Sequence, residues 1–218
     1  MSLSIYIFKG EHKNKGEELL RNALKTYVEE KREKSVNFEC IDFAKASLGR
    51  TQSGKPFLEG YPVHFSISHT GDIWSCLIST ENVGLDIQKM RDLDFNKLAN
   101  RFFLDEEIKF VRDFGRDGFF DIWVRKEACI KYLGTGIRDI RAFSVVENSK
   151  LVDEISLKDM GSNIEGEISL KDMGSNIEDE AAGKYSACFI KAFELAHDIK
   201  GACCFGMRGV DLWIKELS

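Results

Sequence analysis

Apolar and polar positions recur along this chain with two different periods, and the places where the period changes divide it into elements. From residue 16 to about residue 33, Leu19, Leu20, Ala23, Leu24, Tyr27 and Val28 fall on one face of a predicted helix, with Glu17, Glu18, Arg21, Lys25 and Glu29 on the other. Short apolar runs at 5–8 and 38–43 read as strands on either side of it. Residues 49–56 form a polar connection containing Arg50, Gly54 and Lys55. Residues 65–68 and 73–79 read as paired strands around the turn-forming His69-Thr70-Gly71-Asp72, and 83–88 as another short strand. After Asp94 the period lengthens. Phe95, Leu98, Ala99 and Phe102 share one helical face, and Leu104, Ile108, Phe110 and Val111 serve a second helix over 105–114. A third helix covers 117–133 and is closed by Gly134 and Gly136. Strands are predicted over 140–146, 185–193 and 203–214. Strand, helix, strands, then helices, then strands is the order of an α+β fold, not of a doubly wound sheet.

One stretch lies outside these periods. Residues 154–165 read EISLKDMGSNIE, and 167–178 repeat the same twelve residues. Two identical copies are too few for a solenoid. The repeat reads as a recent duplication that lengthens a surface loop or hairpin over 154–180, expected to be mobile and away from the chemistry.

Composition narrows the class. With 218 residues, 43% hydrophobic and 31% charged, the chain is an ordinary globular protein with one sizeable core or two small ones. Sixteen Phe against two Pro favour a packed interior with few rigid loops. No apolar run approaches the ~20 residues of a membrane span, and the first residues lack the charged head and apolar stretch of a signal peptide. The cytoplasm is the expected compartment. A net charge of −5 argues against a nucleic-acid binder. The six Cys include no C-x-x-C pair, and the four His are scattered without zinc-ligand spacing, so the thiols are expected to be reduced and buried.

Candidate chemistry begins in the third helix. Trp123, Glu127 and Lys131 are spaced i, i+4, i+8 and share a face. The carboxylate can bind a metal or take a proton, the ammonium can neutralise a phosphate, and the indole can form an apolar wall; a surface Glu–Lys pair beside a half-buried Trp fits the same spacing. Asp86 and Gln88 lie two apart on a strand and face one way. A carboxylate there beside a helix carboxylate suits a hard cation, since Mg²⁺ takes oxygen ligands and keeps waters and substrate phosphates in its shell. Ser68 and His69 end a strand and can bond a phosphate or cap the turn, and Lys55 and Arg50 are loop cations. No Walker or Rossmann phosphate cradle is present.

Five motifs in order give these residues a common context: Gly54-Lys55-Pro56; a strand ending Ser68-His69; Gly84-Leu85-Asp86-Ile87-Gln88; Arg101-Phe102-Phe103 leading to Glu107; and Trp123-x-x-Lys126-Glu127-Ala128-x-x-Lys131 followed by Gly134-x-Gly136. Residues 50–146 thereby resemble the Sfp-like 4′-phosphopantetheinyl transferases, with a weaker likeness continuing through Ala187-Cys188-Phe189-Ile190-Lys191. The resemblance implies a pseudo-two-fold pair of α+β halves, 1–84 and 85–218, with coenzyme A between them. It implies Mg²⁺ on Asp86 and Glu127, with Gln88 as a weaker ligand and Glu107 as a further one. Lys131 would meet the pyrophosphate. Ser68, His69, Lys55 and Arg50 would lie on the nucleotide side, with Ser68 and His69 at its 3′-phosphate. The implied catalytic set is Glu127, Lys131 and Asp86, with Glu127 the general base. The implied reaction moves phosphopantetheine from coenzyme A to a serine of an apo acyl or peptidyl carrier protein and releases 3′,5′-ADP. Neither nucleic acid nor membrane is an expected partner, and the enzyme is expected to be a monomer.

Gln88 stands where the family usually has Glu, so the metal would have fewer anionic ligands. Two other readings remain: a non-catalytic module that binds coenzyme A or a carrier protein, and a metal-dependent hydrolase of the coenzyme A pyrophosphate.

Overall fold

The alternating stretches form two sheets, and the two long amphipathic stretches form helices that cover their outer faces. The fold is that of a computed structural model, which describes residues 2–32, 46–51, 54–157 and 187–217. In chain order its elements are β1 (Ser2–Lys9), α1 (Gly16–Arg32), β2 (Leu48–Arg50), β3 (Pro56–Leu58), β4 (His64–Thr70), β5 (Ile73–Ser79) and β6 (Val83–Lys89). There follow α2 (Phe95–Phe102), α3 (Asp105–Leu133), a 3₁₀ turn (Ile137–Arg141), β7 (Val146–Glu147), β8 (Lys150–Leu151) and β9 (Glu154–Ser156). β10 (Ala187–Ala196), β11 (Ile199–Phe205) and β12 (Asp211–Glu216) complete them. The α+β class expected from the sequence is the one observed. Among the described residues no helix is long and apolar enough to cross a membrane.

The first sheet has the order β12-β1-β5-β4 and the second β6-β11-β10-β9. β12 runs parallel to β1, so the first sheet takes one strand from the far end of the chain. Along β1 the period of two sends Tyr6 toward α1, where it meets Leu20, Leu24, Phe65, Trp74 and Ile78. Ile5 and Ile7 go the other way, into a layer shared with Leu77, Leu85, Ile87 and Cys203. Beyond the second sheet, α2 and α3 bury Phe103, Phe119, Phe120, Ile122 and Val124. The layers therefore run α1, first sheet, second sheet, α3.

The two sheets meet edge to edge at β4 and β6, and side chains take the place of one strand's main chain there. The Leu85 N–H donates to Ser66 Oγ (2.9 Å), Ile87 N–H to Ser68 Oγ (3.2 Å) and Lys89 N–H to Thr70 Oγ1 (2.9 Å). Both residue series rise together, so the strands run parallel along this seam. β11 takes the other edge of β6. Without the three hydroxyls, buried N–H groups of β6 would lack partners, which is costly.

Three expectations need correction. Residues 140–146 are a 3₁₀ turn and a short strand, because the Ile140 and Phe143 carbonyls turn inward to the Lys126 ammonium. Residues 203–214 are two strands of different sheets, parted at 206–210, where Gly209 has φ +68°. Within the 49–56 connection, 49–50 belong to β2 and Pro56 to β3, which pair antiparallel. The two helices expected over 105–133 run on as α3 through a kink at Gly115 (φ 61°, ψ −138°). The strand expected over 38–43 lies outside the described residues, as does most of the repeat, whose first three residues form edge strand β9.

Gly84 fixes the distance between β6 and α3. A Cβ built there would lie 1.9 Å from the Ala128 carbonyl oxygen and 2.5 Å from the Tyr132 nitrogen, so only glycine allows this approach. Gly84→Ala is expected to lower stability by about 1–3 kcal/mol through overpacking. Ser66→Ala is expected to cost about 1–3 kcal/mol by orphaning the Leu85 N–H. Urea unfolding checks both, and an unchanged midpoint for Ser66→Ala would show that the seam does not depend on that hydroxyl.

Candidate functional site

Leu85 and Ile87 point into the layer between the sheets, so Gly84, Asp86 and Gln88 of β6 face α3. Because Gly84 draws α3 close, Asp86 reaches the helix stripe that carries Glu127 and Lys131. Lys131 Nζ donates to Asp86 Oδ1 at 2.8 Å. Ser68 Oγ donates to the same oxygen at 2.8 Å. Asp86 is 6% exposed, and its Oδ2 is buried with no hydrogen-bond partner among the described residues. Burial raises the pKa of Glu127 above the usual carboxylate range, the Asp86 charge raises it further, and Lys131 partly offsets this. Asp86, Glu127 and Lys131 thus form one electrostatic unit, although 41 residues separate the two carboxylates in sequence.

A buried carboxylate oxygen without a donor is costly unless something positive takes it. Glu127, whose proton affinity the Asp86 charge raises, asks for the same thing. The oxygen donors here, Asp86 Oδ2 and Glu127 with the Gln88 amide on the same strand face, suit a hard divalent cation such as Mg²⁺. Among the described residues no third carboxylate or imidazole joins the pair in a tight ligand cluster.

Other residues singled out from sequence lie elsewhere. Glu107 is not at this site. It is 0% exposed, pairs with Lys126 Nζ at 3.0 Å, and accepts from the Leu104 and Val145 N–H groups, each at 2.9 Å. Its oxygens are taken up in tying α3 to the segment that follows the helix, so a metal-ligand role does not fit. Ser68 spends its hydroxyl on Asp86 and the Ile87 N–H, which makes it a positioning residue rather than a phosphate contact.

His69, one residue on, faces the other way, is exposed, and has its ring centroid 5.4 Å from that of His12. Lys55 leaves its loop for internal partners: Nζ donates to Asn82 Oδ1 (2.6 Å) and to the Val83 (3.1 Å) and Tyr132 (3.5 Å) carbonyls. Burial pulls its pKa down to about 8. Arg50 is exposed and donates to the Gly54 carbonyl across the hairpin turn. Trp123 closes the stripe against Phe102, Phe103 and Phe119 at centroid distances of 5.6, 6.3 and 5.7 Å, as part of the core.

Sequence reasoning missed the roles of Lys126, Ser66 and Thr70. The alternation Ser66, Ser68, Thr70 on a strand was the available signal for a polar edge.

On an α+β fold, a strand and a helix bring together two carboxylates and an ammonium, groups whose chemistry suits a divalent cation and a polyanion. Residues 82–187 match the family model described as the 4′-phosphopantetheinyl transferase superfamily, which bears out the resemblance carried by the motifs. The chain is 34% identical over 92 residues to the 4′-phosphopantetheinyl transferase gsp of Aneurinibacillus migulanus, covering 40% of this chain and 38% of the relative. It is 34% identical over 111 residues to a 4′-phosphopantetheinyl transferase of Bacillus subtilis, covering 48% and 49%. With the 4′-phosphopantetheinyl transferase Sfp of Bacillus subtilis (strain 168) it shares 27% over 170 residues, covering 75% of this chain and 65% of the relative. The matches thus span less than two thirds of these relatives' lengths.

The buried Glu107–Lys126 pair has a measurable consequence. Lys126→Met is expected to destabilise the fold by about 3–5 kcal/mol, because it leaves Glu107 charged and unpaired, and the double variant with Glu107→Leu is expected to recover much of that. Thermal unfolding of the three proteins checks this.

Proposed function

We propose that this protein transfers the 4′-phosphopantetheine group of coenzyme A to a serine of an apo acyl or peptidyl carrier protein, with Mg²⁺, releasing 3′,5′-ADP. The observation that carries the reading is the buried, unpartnered Oδ2 of Asp86 beside Glu127 and Lys131. Asp86 and Glu127, with the Gln88 amide oxygen, would hold the cation. When bound, the cation supplies charge neutralisation on the pyrophosphate. The two segments 1–84 and 85–218 are proposed as halves that meet along the β4–β6 seam, with β12 of the second segment completing the first sheet and the boundary falling within β6; coenzyme A would lie over the seam with its nucleotide end toward His69. A monomer acting in the cytoplasm belongs to the same proposal.

In the reaction, the carrier serine oxygen forms a bond to the phosphorus that bears the pantetheine arm, and the bond from that phosphorus to the bridging oxygen of 3′,5′-ADP breaks. Glu127 takes the serine proton, directly or through a water. Lys131, now donating to Asp86, is within reach of a phosphate oxygen that replaces that partner and places fixed positive charge where negative charge develops. Ser68 holds Asp86 in place.

Incubation of apo carrier protein with coenzyme A and Mg²⁺ is expected to add one phosphopantetheine to the carrier by mass. Glu127→Gln is expected to lower turnover by about 10²–10⁴-fold with the fold intact, and Asp86→Ala to abolish it. Near-normal turnover of either variant would overturn the assignment. Coenzyme A binding with no mass gain across a panel of apo carriers would favour a binding module, and release of phosphopantetheine without a carrier would favour a hydrolase. Gln88→Glu is expected to tighten Mg²⁺ binding, read from the Mg²⁺ concentration at half-maximal turnover; an unchanged value would place Gln88 outside the metal shell.

A further inference from the structure

Away from the carboxylate site, three cysteines that no sequence spacing connects come together in the core between α3 and the second sheet. Cys129 is on α3, Cys188 on β10 and Cys204 on β11, and all three are 0% exposed. Their sulfurs lie within 4.8 Å of one another. We propose that Cys129, Cys188 and Cys204 are a three-coordinate thiolate site for one soft cation, Cu(I) in particular.

Distance supports this. A metal–sulfur bond of about 2.3 Å in a trigonal plane sets the sulfurs roughly 4 Å apart, so the trio needs only a small inward shift to close on an ion. Donor type selects the ion. Among the described residues the cluster contains sulfur and no nitrogen or oxygen ligand, which favours soft thiophilic metals over Mg²⁺ or Ca²⁺. Zn²⁺ in a structural site takes four ligands and would lack one here; Cu(I) is content with three sulfurs.

Charge supports it as well. Thiolates gathered in the core need a cation among them. Two ammoniums lie within electrostatic reach: the buried Lys126 of Cys129, and the half-buried Lys55 of Cys204. The hydrogen-bond acceptors of Lys55 are an amide and two carbonyls, all neutral, so an anionic sulfur cluster gives this charge a counterpart. As each S–Cu bond forms, the S–H proton of that cysteine passes to solvent.

The test is an anaerobic titration of the reduced protein with Cu(I) buffered by bicinchoninate. It is run on the folded protein and on protein refolded in the presence of the ion, so that burial of the site cannot hide it. The expected result is one Cu(I) per chain with an ultraviolet thiolate-to-copper band. Both are expected to be lost in Cys188→Ser and kept in Cys203→Ala, whose sulfur lies on the other face of β11. If Cys188→Ser does not fold, Cys204→Ala serves in its place. No stoichiometric Cu(I) uptake by the wild-type protein in either format would overturn the site, as would full uptake by a folded Cys188→Ser. Zn²⁺ bound in preference, with the same cysteine dependence, would overturn the choice of ion.

Discussion

The structure turns on the seam where three hydroxyls of β4 accept hydrogen bonds from alternate N–H groups of β6. A main-chain ladder would have made one continuous sheet. Side-chain acceptors instead let the first sheet end at β4 and the second begin at β6 while every buried N–H on that edge is satisfied. The same arrangement positions Asp86. Ser68 accepts from Ile87 and donates to Asp86 Oδ1, so one hydroxyl both joins the sheets and orients the carboxylate. The site is a consequence of how the two sheets are joined.

Two buried carboxylates, Glu107 on α3 and Asp86 on the strand that faces it, illustrate what separates scaffold from site. Glu107 is fully enclosed, and its oxygens are met by an ammonium and two backbone N–H groups. A charge so completely partnered has no capacity left for a ligand, and its role is to fasten the ends of the helix layer. Asp86 is nearly as buried, but its donors converge on one oxygen and leave the other without a protein partner among the described residues. That oxygen, beside the nearby Glu127, leaves a residual electrostatic demand that the protein's own described groups do not meet.

The motif from Trp123 to Lys131 divides its labour in the same terms. Trp123 packs on three phenylalanines, Lys126 enters the core to take the Ile140 and Phe143 carbonyls, and Ala128 lies beneath Gly84. Glu127 and Lys131 remain for Asp86. Adjacent Lys126 and Glu127 thus serve different purposes, because neighbouring residues on a helix point about 100° apart.

Local periodicity was enough to place α1, α2, both arms of α3 and the strands β1, β4, β5 and β6, because each buries one face and that face is written in the spacing of Leu, Ile, Val and Phe. Spacing likewise put Glu127 and Lys131 on one stripe and Asp86 and Gln88 on one strand face. Tertiary contacts decided the rest. Whether Asp86 meets Glu127, whether Glu107 and Lys55 are spent on internal partners, and whether distant cysteines gather depend on which elements pack together. The 140–146 segment turns rather than extends because a buried ammonium claims its carbonyls, and 203–214 breaks because its second half joins a sheet begun 200 residues earlier. The chain's pattern sets which face of each element is buried; only the packed molecule sets which charge lies opposite which, since Coulombic and hydrogen-bonding partners are chosen by distance in space and not along the sequence.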